Sequence, residues 1–423
     1  MQKLNTKRTI LTGLAFLSIC TFWQIYDSII PLILKEDFAI GDTLSGVIMA
    51  LDNVLALFLL PVLGALSDKT HTKLGRRMPY ILAGTACAVV FMMLLPVSAK
   101  ARNLPLFMAA LALTLLSMSF YRSPAVALMP DLTPKPLRSK GNAIINLMGA
   151  VGGVMALGFI TVMVPKTENP DYTAVFAAAA SVMVVSVTIL ALTIRENKMA
   201  VKDEPEEKER AENAPQHGLS APEKRSLVLI LASVFFWFMG YNAVTTAFSK
   251  YARAYWGLTG GAFAYTLIIA QAAAICAYLP VAALSQRIGR RKTILCGVTG
   301  LTLAFGAAVF FRSFNYGMFA LFALAGISWA AINVNSYPMV VELAKGADVG
   351  KYTGFYYTFS MAAQIITPIL SGFLLENAGY HTLFPYAAVC VAVSFFTMLF
   401  VRHGDAKTEK LSSKLEAFAS PDD

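Results

Sequence analysis

The chain has 423 residues, is 57% hydrophobic and 14% charged, and carries a formal net charge of +10. A water-soluble protein of this size cannot hide so much apolar surface, so a soluble multidomain chain is excluded. The bases are dispersed among short connectors and form no aromatic-studded stripe, which argues against a nucleic-acid partner.

Apolar runs long enough to span a bilayer follow one another in chain order. They predict helices near residues 10–34, 44–66, 79–98, 104–130, 142–164 and 172–194. A second set is predicted near 226–249, 260–285, 292–311, 315–341, 352–375 and 381–401. Each is about 20 residues or longer, enough for a hydrocarbon core of roughly 30 Å at 1.5 Å per residue. The first run is not expected to be a cleaved leader: it is too long, contains Trp23, Tyr26 and Asp27, and lacks a small-residue cleavage site. Lys3, Lys7 and Arg8 precede the first span. Lys69, Lys73, Arg76 and Arg77 fill the 2–3 connector, Lys135, Arg138 and Lys140 the 4–5 connector, and Arg287, Arg290, Arg291 and Lys292 the 8–9 connector. Positive residues mark the cytoplasmic side, so both termini are expected there, in a multi-pass protein of the cytoplasmic (plasma) membrane.

Between spans six and seven lies RENKMAVKDEPEEKERAENAPQHGLSAPEKRS, charged and nearly free of large apolar residues. It reads as a flexible linker in which a short helix can form. The expected organisation is a six-helix bundle over 1–194, a cytoplasmic linker over 195–225, a second six-helix bundle over 226–402 and a cytoplasmic tail over 403–423. The halves share a repeat: PVLGALSD at 61–68 matches PVAALSQ at 280–286, and Gly75-Arg76-Arg77 matches Gly289-Arg290-Arg291. MPDLTPKPLRSKGNAI at 129–144 has a weaker counterpart in VELAKGADVGKYTGF at 341–355. Duplicated six-span units are typical of transporters, with substrate held between the halves near the midplane. Gly64, Asp68, Gly75, Arg76, Arg77, Arg290 and Arg291 are read as a conformational latch, because connector contacts on one face can form in one state and break in the other. A plain topology anchor explains the bases equally well. Asp131 and Glu342, at matching span ends before basic loop residues, are read as gating or ordinary interfacial charges.

These motifs resemble the major facilitator superfamily, whose 2–3 connectors carry Gly-x-x-x-Asp followed by Gly-Arg-Arg. SDKTHTKLGRRMPYIL and SPAVALMPDLTPKPLRSKGNAI resemble, more narrowly, the glycoside–pentoside–hexuronide:cation symporters and the sucrose–proton symporters. The resemblance implies an all-α integral membrane fold of twelve transmembrane helices in two pseudo-symmetric six-helix bundles. It also implies cation-coupled sugar symport. The sodium-using members place acids at positions that here hold Arg122, Ala56 and Leu60, so their sodium site does not carry over and a proton is the expected coupling ion.

Charged groups inside spans are costly, about 2.5–3.5 kcal/mol at a helix centre, and usually face a cavity or a partner. Asp27, Asp52 and Arg122 qualify. Asp52 is the first candidate for a proton carrier with Arg122 as its charge partner, and Asp27 is either a second carrier or a substrate ligand. A static buried ion pair is the plainer alternative. Sugar recognition needs aromatic faces beside hydrogen-bonding groups. Trp329, Asn333 and Tyr337 share one helix face, as do Trp23 and Asp27 with Gln24 alongside, and Trp237, Tyr241 and Thr245 with Asn242 alongside. Trp23, Gln24, Tyr241, Asn242, Trp329, Asn333 and Tyr337 are therefore the candidate substrate ligands. Asn142, Asn146 and Gln271 add amides, and Gly149, Gly152 and Gly153 permit close packing.

Cys20, Cys87, Cys276, Cys296 and Cys390 fall within spans without metal-ligand spacing, and the four histidines form no cluster, so no metal or cofactor is expected. The sequence expectation is a non-enzymatic, monomeric carrier with a small-molecule substrate, a glycoside, coupled to a proton and surrounded by lipid. An exporter or mover of amphipathic compounds or lipids on the same fold is the alternative.

Overall fold

The computed structural model describes residues 4–134, 137–167, 169–199, 219–343 and 349–405. Parts of the expected linker and tail, with Lys3, Lys135 and Lys345, lie outside them. Twelve long helices run through the described residues. They are α1 (Thr6–Glu36), α2 (Asp42–Asp68), α3 (Met78–Lys100), α4 (Leu104–Leu132), α5 (Arg138–Met163) and α6 (Thr173–Thr193). After a four-residue helix, Glu196–Met199, come α7 (Ala221–Ala254), α8 (Ala264–Ile288), α9 (Arg290–Ala308), α10 (Gly317–Leu343), α11 (Val349–Asn377) and α12 (Leu383–Leu399).

Among the described residues, eleven spans are long and apolar enough to cross a membrane. The helix outside that set, α9, starts with Arg290, Arg291 and Lys292, which dilute its hydropathy. A 3₁₀ turn, Tyr380–Thr382, extends α12 to a 20-residue span. The outer surface is apolar, with Phe310 84%, Val162 83% and Leu192 77% exposed. Such side chains suit hydrocarbon and not water.

Local chemistry sets the helix ends. Asn5 and Asn103 each accept a backbone N–H in the first turn of α1 and α4. Ser220 and Glu223 form a reciprocal capping box, so α7 begins at Ala221, inside the stretch expected to be linker. Within the first half α1 packs on α5 and α6, and α3 on α4 and α6. In the second half α10 packs on α8 and α9, and α12 on α7 and α9. Contacts between the halves run through α2 with α11, α5 with α8 and α1 with α7.

With an even number of spans, both described chain ends fall on one face, called here the terminal face; the other is the distal face. Glycine permits the closest interhelical approaches. Gly46 on α2 abuts the Pro368 carbonyl on α11, and Gly372 on α11 abuts the Asp42 carbonyl on α2. Gly261, before α8, abuts the Ile160 carbonyl on α5. All three joints lie toward the distal face.

Candidate functional site: a central cavity beneath a closed distal face

A cavity of about 370 Å³ lies between the two halves. α1 contributes Trp23, Gln24 and Asp27, α2 Asp52 and Asn53, and α4 Arg122. The second half contributes Tyr241, Asn242 and Thr245 from α7, Gln271 and Tyr278 from α8, Trp329 and Asn333 from α10, and Gln364 from α11. Helical spacing explains much of this set, since Trp23 with Asp27 and Trp329 with Asn333 are one turn apart and share a face.

The aromatic wall is ordered. Tyr241 and Trp329 stack with ring centroids 3.7 Å apart and planes inclined by 5°, and Phe238 meets Trp329 edge-on at 5.3 Å. On the opposite side Trp23 meets Tyr26 edge-on at 5.4 Å. The Arg122 guanidinium lies 5.7 Å from the centre of the Trp23 ring, within cation–π range. Around these rings several buried polar atoms lack a protein hydrogen-bond partner: Trp23 Nε1, Asn242 Nδ2, Gln271 Oε1 and Asn333 Oδ1. Unmatched donors and acceptors at membrane depth are costly, and these four atoms give the cavity hydrogen-bonding capacity for a polar occupant.

Nine of the ten expected coupling and ligand residues line this cavity. Tyr337 does not. It is two turns beyond Trp329, toward the terminal face, where its hydroxyl pairs with Thr353 Oγ1 at 3.0 Å and its ring packs on Tyr356 and Tyr357. Trp237 is fully buried outside the lining. Asp52 and Arg122 share the cavity, yet Arg122 takes Trp23 as its neighbour and Asp52 accepts from Asn53 Nδ2 at 2.8 Å. The expected charge pair is therefore a shared cavity and not a direct ion pair. Asn53, Tyr278 and Gln364 were not anticipated. Asn53 adjoins Asp52 in sequence, and Gln364 is an amide in an otherwise apolar turn, a signal present but unused.

The distal face is closed by charges from both halves. Lys250 Nζ donates to Asp42 at 2.8 Å, and Lys35 shares the same carboxylate at 2.6 Å. The Tyr380 hydroxyl donates to Asp42 at 2.9 Å, and Glu376 accepts from the Thr43 N–H at 2.8 Å. Beside them Arg253 pairs with Glu36 at 3.0 Å and donates to the Tyr172 hydroxyl at 2.9 Å. Burial, with Glu36 next to it, pushes that hydroxyl above the ordinary tyrosine range and keeps it a neutral donor.

At the terminal face the expected latch residues hold each half to itself. Arg77 pairs with Asp68 and with Asp131 (2.9 Å), and donates to Ser67 and to the Gly64 carbonyl. Arg76 reaches Asp131 at 2.8 Å. In the second half Arg290 pairs with Glu342 at 2.5 Å, and Arg291 donates to the Leu399 carbonyl at 2.5 Å. Asp68 thus pairs within its own connector.

Two further carboxylates complete the connectors. Glu196, 2% exposed, accepts the backbone N–H groups of Arg76, Arg77 and Met78 at the start of α3. Asp405 accepts that of Arg291 near the start of α9. Gly75 and Gly289 have φ of +122° and +93°, and a Cβ at either would meet Glu196 or Asp405 respectively. Each carboxylate follows the sixth helix of its half and caps the third.

Among the described residues, no group of three or more His, Cys, Asp or Glu could hold a metal ion. A twelve-helix bundle pair with a polar cavity between its halves is the architecture of a membrane carrier. Comparison with solved structures agrees. The nucleoside transporter NupG (D323A mutant) superposes with a TM-score of 0.67 at 12% identity, covering 93% of this chain and 98% of that one. The human organic anion transporter MFSD10 (TETRAN) gives 0.60 at 16%, covering 94% and 100%. FucP, a Major Facilitator Superfamily (MFS) transporter in the outward conformation, gives 0.58 at 14%, covering 94% and 99%. At these identities the likeness shows the fold alone. No curated protein matches the chain by sequence. The MFS/sugar transport protein family model matches residues 15–402, and the chain belongs to that family. It is a multi-pass membrane transporter of the major facilitator fold and not an enzyme.

Proposed function

We propose that the chain is a proton-coupled symporter that takes up a glycoside, a di- or oligosaccharide, by alternating access. The observation that carries this reading is one cavity in which the stacked Tyr241–Trp329 pair adjoins the unpartnered polar atoms of Asn242, Gln271 and Asn333. A pyranose has an apolar face for the rings and a rim of hydroxyls for the amides. An apolar or lipid cargo suits the cavity less, since each amide left unmatched costs about 1–3 kcal/mol.

Asp52 is assigned as the proton carrier, and Asp27 as a second carrier or sugar ligand. Arg122 is assigned to bias their charge across the shared cavity. The basic terminal face is assigned to the cytoplasm of a cell with the protein in its plasma membrane, which puts the closed distal face outside. The latch arginines hold each bundle rigid while the two bundles rock about the cavity, and a monomer suffices.

Trp23 and Trp329 line the cavity, so a bound sugar is expected to change the intrinsic fluorescence of the purified protein. Trp329→Ala is expected to weaken binding about 2- to 12-fold, the equivalent of an aromatic contact worth about 0.5–1.5 kcal/mol. Fluorescence unmoved by a broad glycoside panel, but moved by lipid or amphipathic amines, would reverse the assignment.

A further inference from the structure

We propose that Gln271 is the side chain through which bound substrate closes the distal face. The inference rests on the glycoside reading and adds a coupling residue to it. Gln271 belongs to α8 of the second half, and its amide lies against Gly153, on α5 of the first half. A Cβ at position 153 would collide with the amide nitrogen. This contact continues inward a joint that starts nearer the distal face, where Gly261 abuts the Ile160 carbonyl. The amide is therefore a polar point at which the α5–α8 joint reaches the cavity.

Gln271 Oε1 borders the cavity and is buried with no protein partner. A ligand hydroxyl can donate to it. Gln24 and Asp27 of the first half line the same cavity, and the seat on Gly153 holds the Gln271 amide at it. When the halves part at the distal face, α8 carries the amide away from these first-half residues. A ligand bridging both sets binds the closed conformation better, and that difference in affinity shifts the population toward closure. Glycine at 153 is required for the seat, because any larger residue displaces the amide.

The test reads closure separately from transport. Ser45 on α2 is 0% exposed and lies 3.5 Å from Lys250 Nζ in the distal joint, so a cysteine there reports opening by maleimide labelling in a background lacking the five native cysteines. With a glycoside that alters parent fluorescence, labelling of Ser45→Cys should slow at least about fivefold, the lower end of coupling between sites. Gln271→Leu removes a ligand contact and should bind more weakly; at a glycoside concentration that saturates its own fluorescence change it should lose the slowing. Without ligand, Gly153→Val should label faster than the parent, and adding Gln271→Ala should restore the parent rate by removing the displaced group. Slowing retained in Gln271→Leu, or no acceleration in Gly153→Val, would overturn the inference. A panel in which no sugar changes parent fluorescence defeats the glycoside reading instead, and the ligand-free arm then decides by itself whether Gln271 and Gly153 set closure.

Discussion

Asp52 and Arg122 face one cavity without forming an ion pair, a sharper result than their helical positions alone allow. A strut holding helices together would join the two charges directly. Here Asp52 accepts from its neighbour Asn53, and Arg122 lies over Trp23. That leaves the carboxylate free to exchange its partner, as a proton carrier must. Asp52→Asn is therefore expected to abolish accumulation of sugar against a gradient in proteoliposomes while leaving sugar counterflow intact; loss of both would make Asp52 a structural or ligand group only. Intramembrane charges and aromatic–amide spacing were readable from the chain because lipid makes such residues expensive. Tyr337 shows the limit of that reading. The stripe Trp329–Asn333–Tyr337 is continuous in sequence, but only its first two members border the cavity. The third meets a cluster of α11 tyrosines that no local pattern reveals.

The helices were legible to within a few residues from hydropathy, whereas their fastening was not. Gly75-Arg76-Arg77 is conspicuous as a repeat, but the acid that completes it, Glu196, sits about 120 residues away in what reads as linker. Three backbone N–H groups at a helix start offer a carboxylate a site favoured by both hydrogen bonding and the helix dipole. Glu196→Gln removes the charge and is expected to destabilise the folded protein by about 1.5–3 kcal/mol, the range for hydrogen bonds to charged groups. Asp405→Asn should cost less, because its contact with Arg291 N–H is exposed and longer, at 3.2 Å. Thermal unfolding in detergent checks the order; an equal or larger effect at Asp405 would contradict it.

At the scale of the whole molecule, the closed distal face is what the sequence concealed most completely. Lys250 and Asp42 are 208 positions apart, in different halves, and their side chains are 5% and 1% exposed. Neither residue stands out in sequence, since each lies near a span end where charge is ordinary. Removing Lys250 takes from the buried Asp42 its cross-half cation but leaves it Lys35 and the Tyr380 hydroxyl, so the cost stays below the roughly 3–5 kcal/mol of a fully stranded charge. Lys250→Met should therefore loosen the distal face and speed labelling of Ser45→Cys, and an unchanged rate would show that the other cross-half contacts and the glycine joints close it without this pair. The two-half architecture, by contrast, was legible from the repeat, because duplicated connectors recur wherever duplicated bundles turn.

The most direct test of the central claim is external pH, recorded while glycosides are added to energy-depleted cells expressing the protein, with and without sodium. Proton symport predicts sugar-specific alkalinisation that is independent of sodium and disappears in Asp52→Asn. Inserted protein giving no pH change with any glycoside, or one that requires sodium, would contradict it.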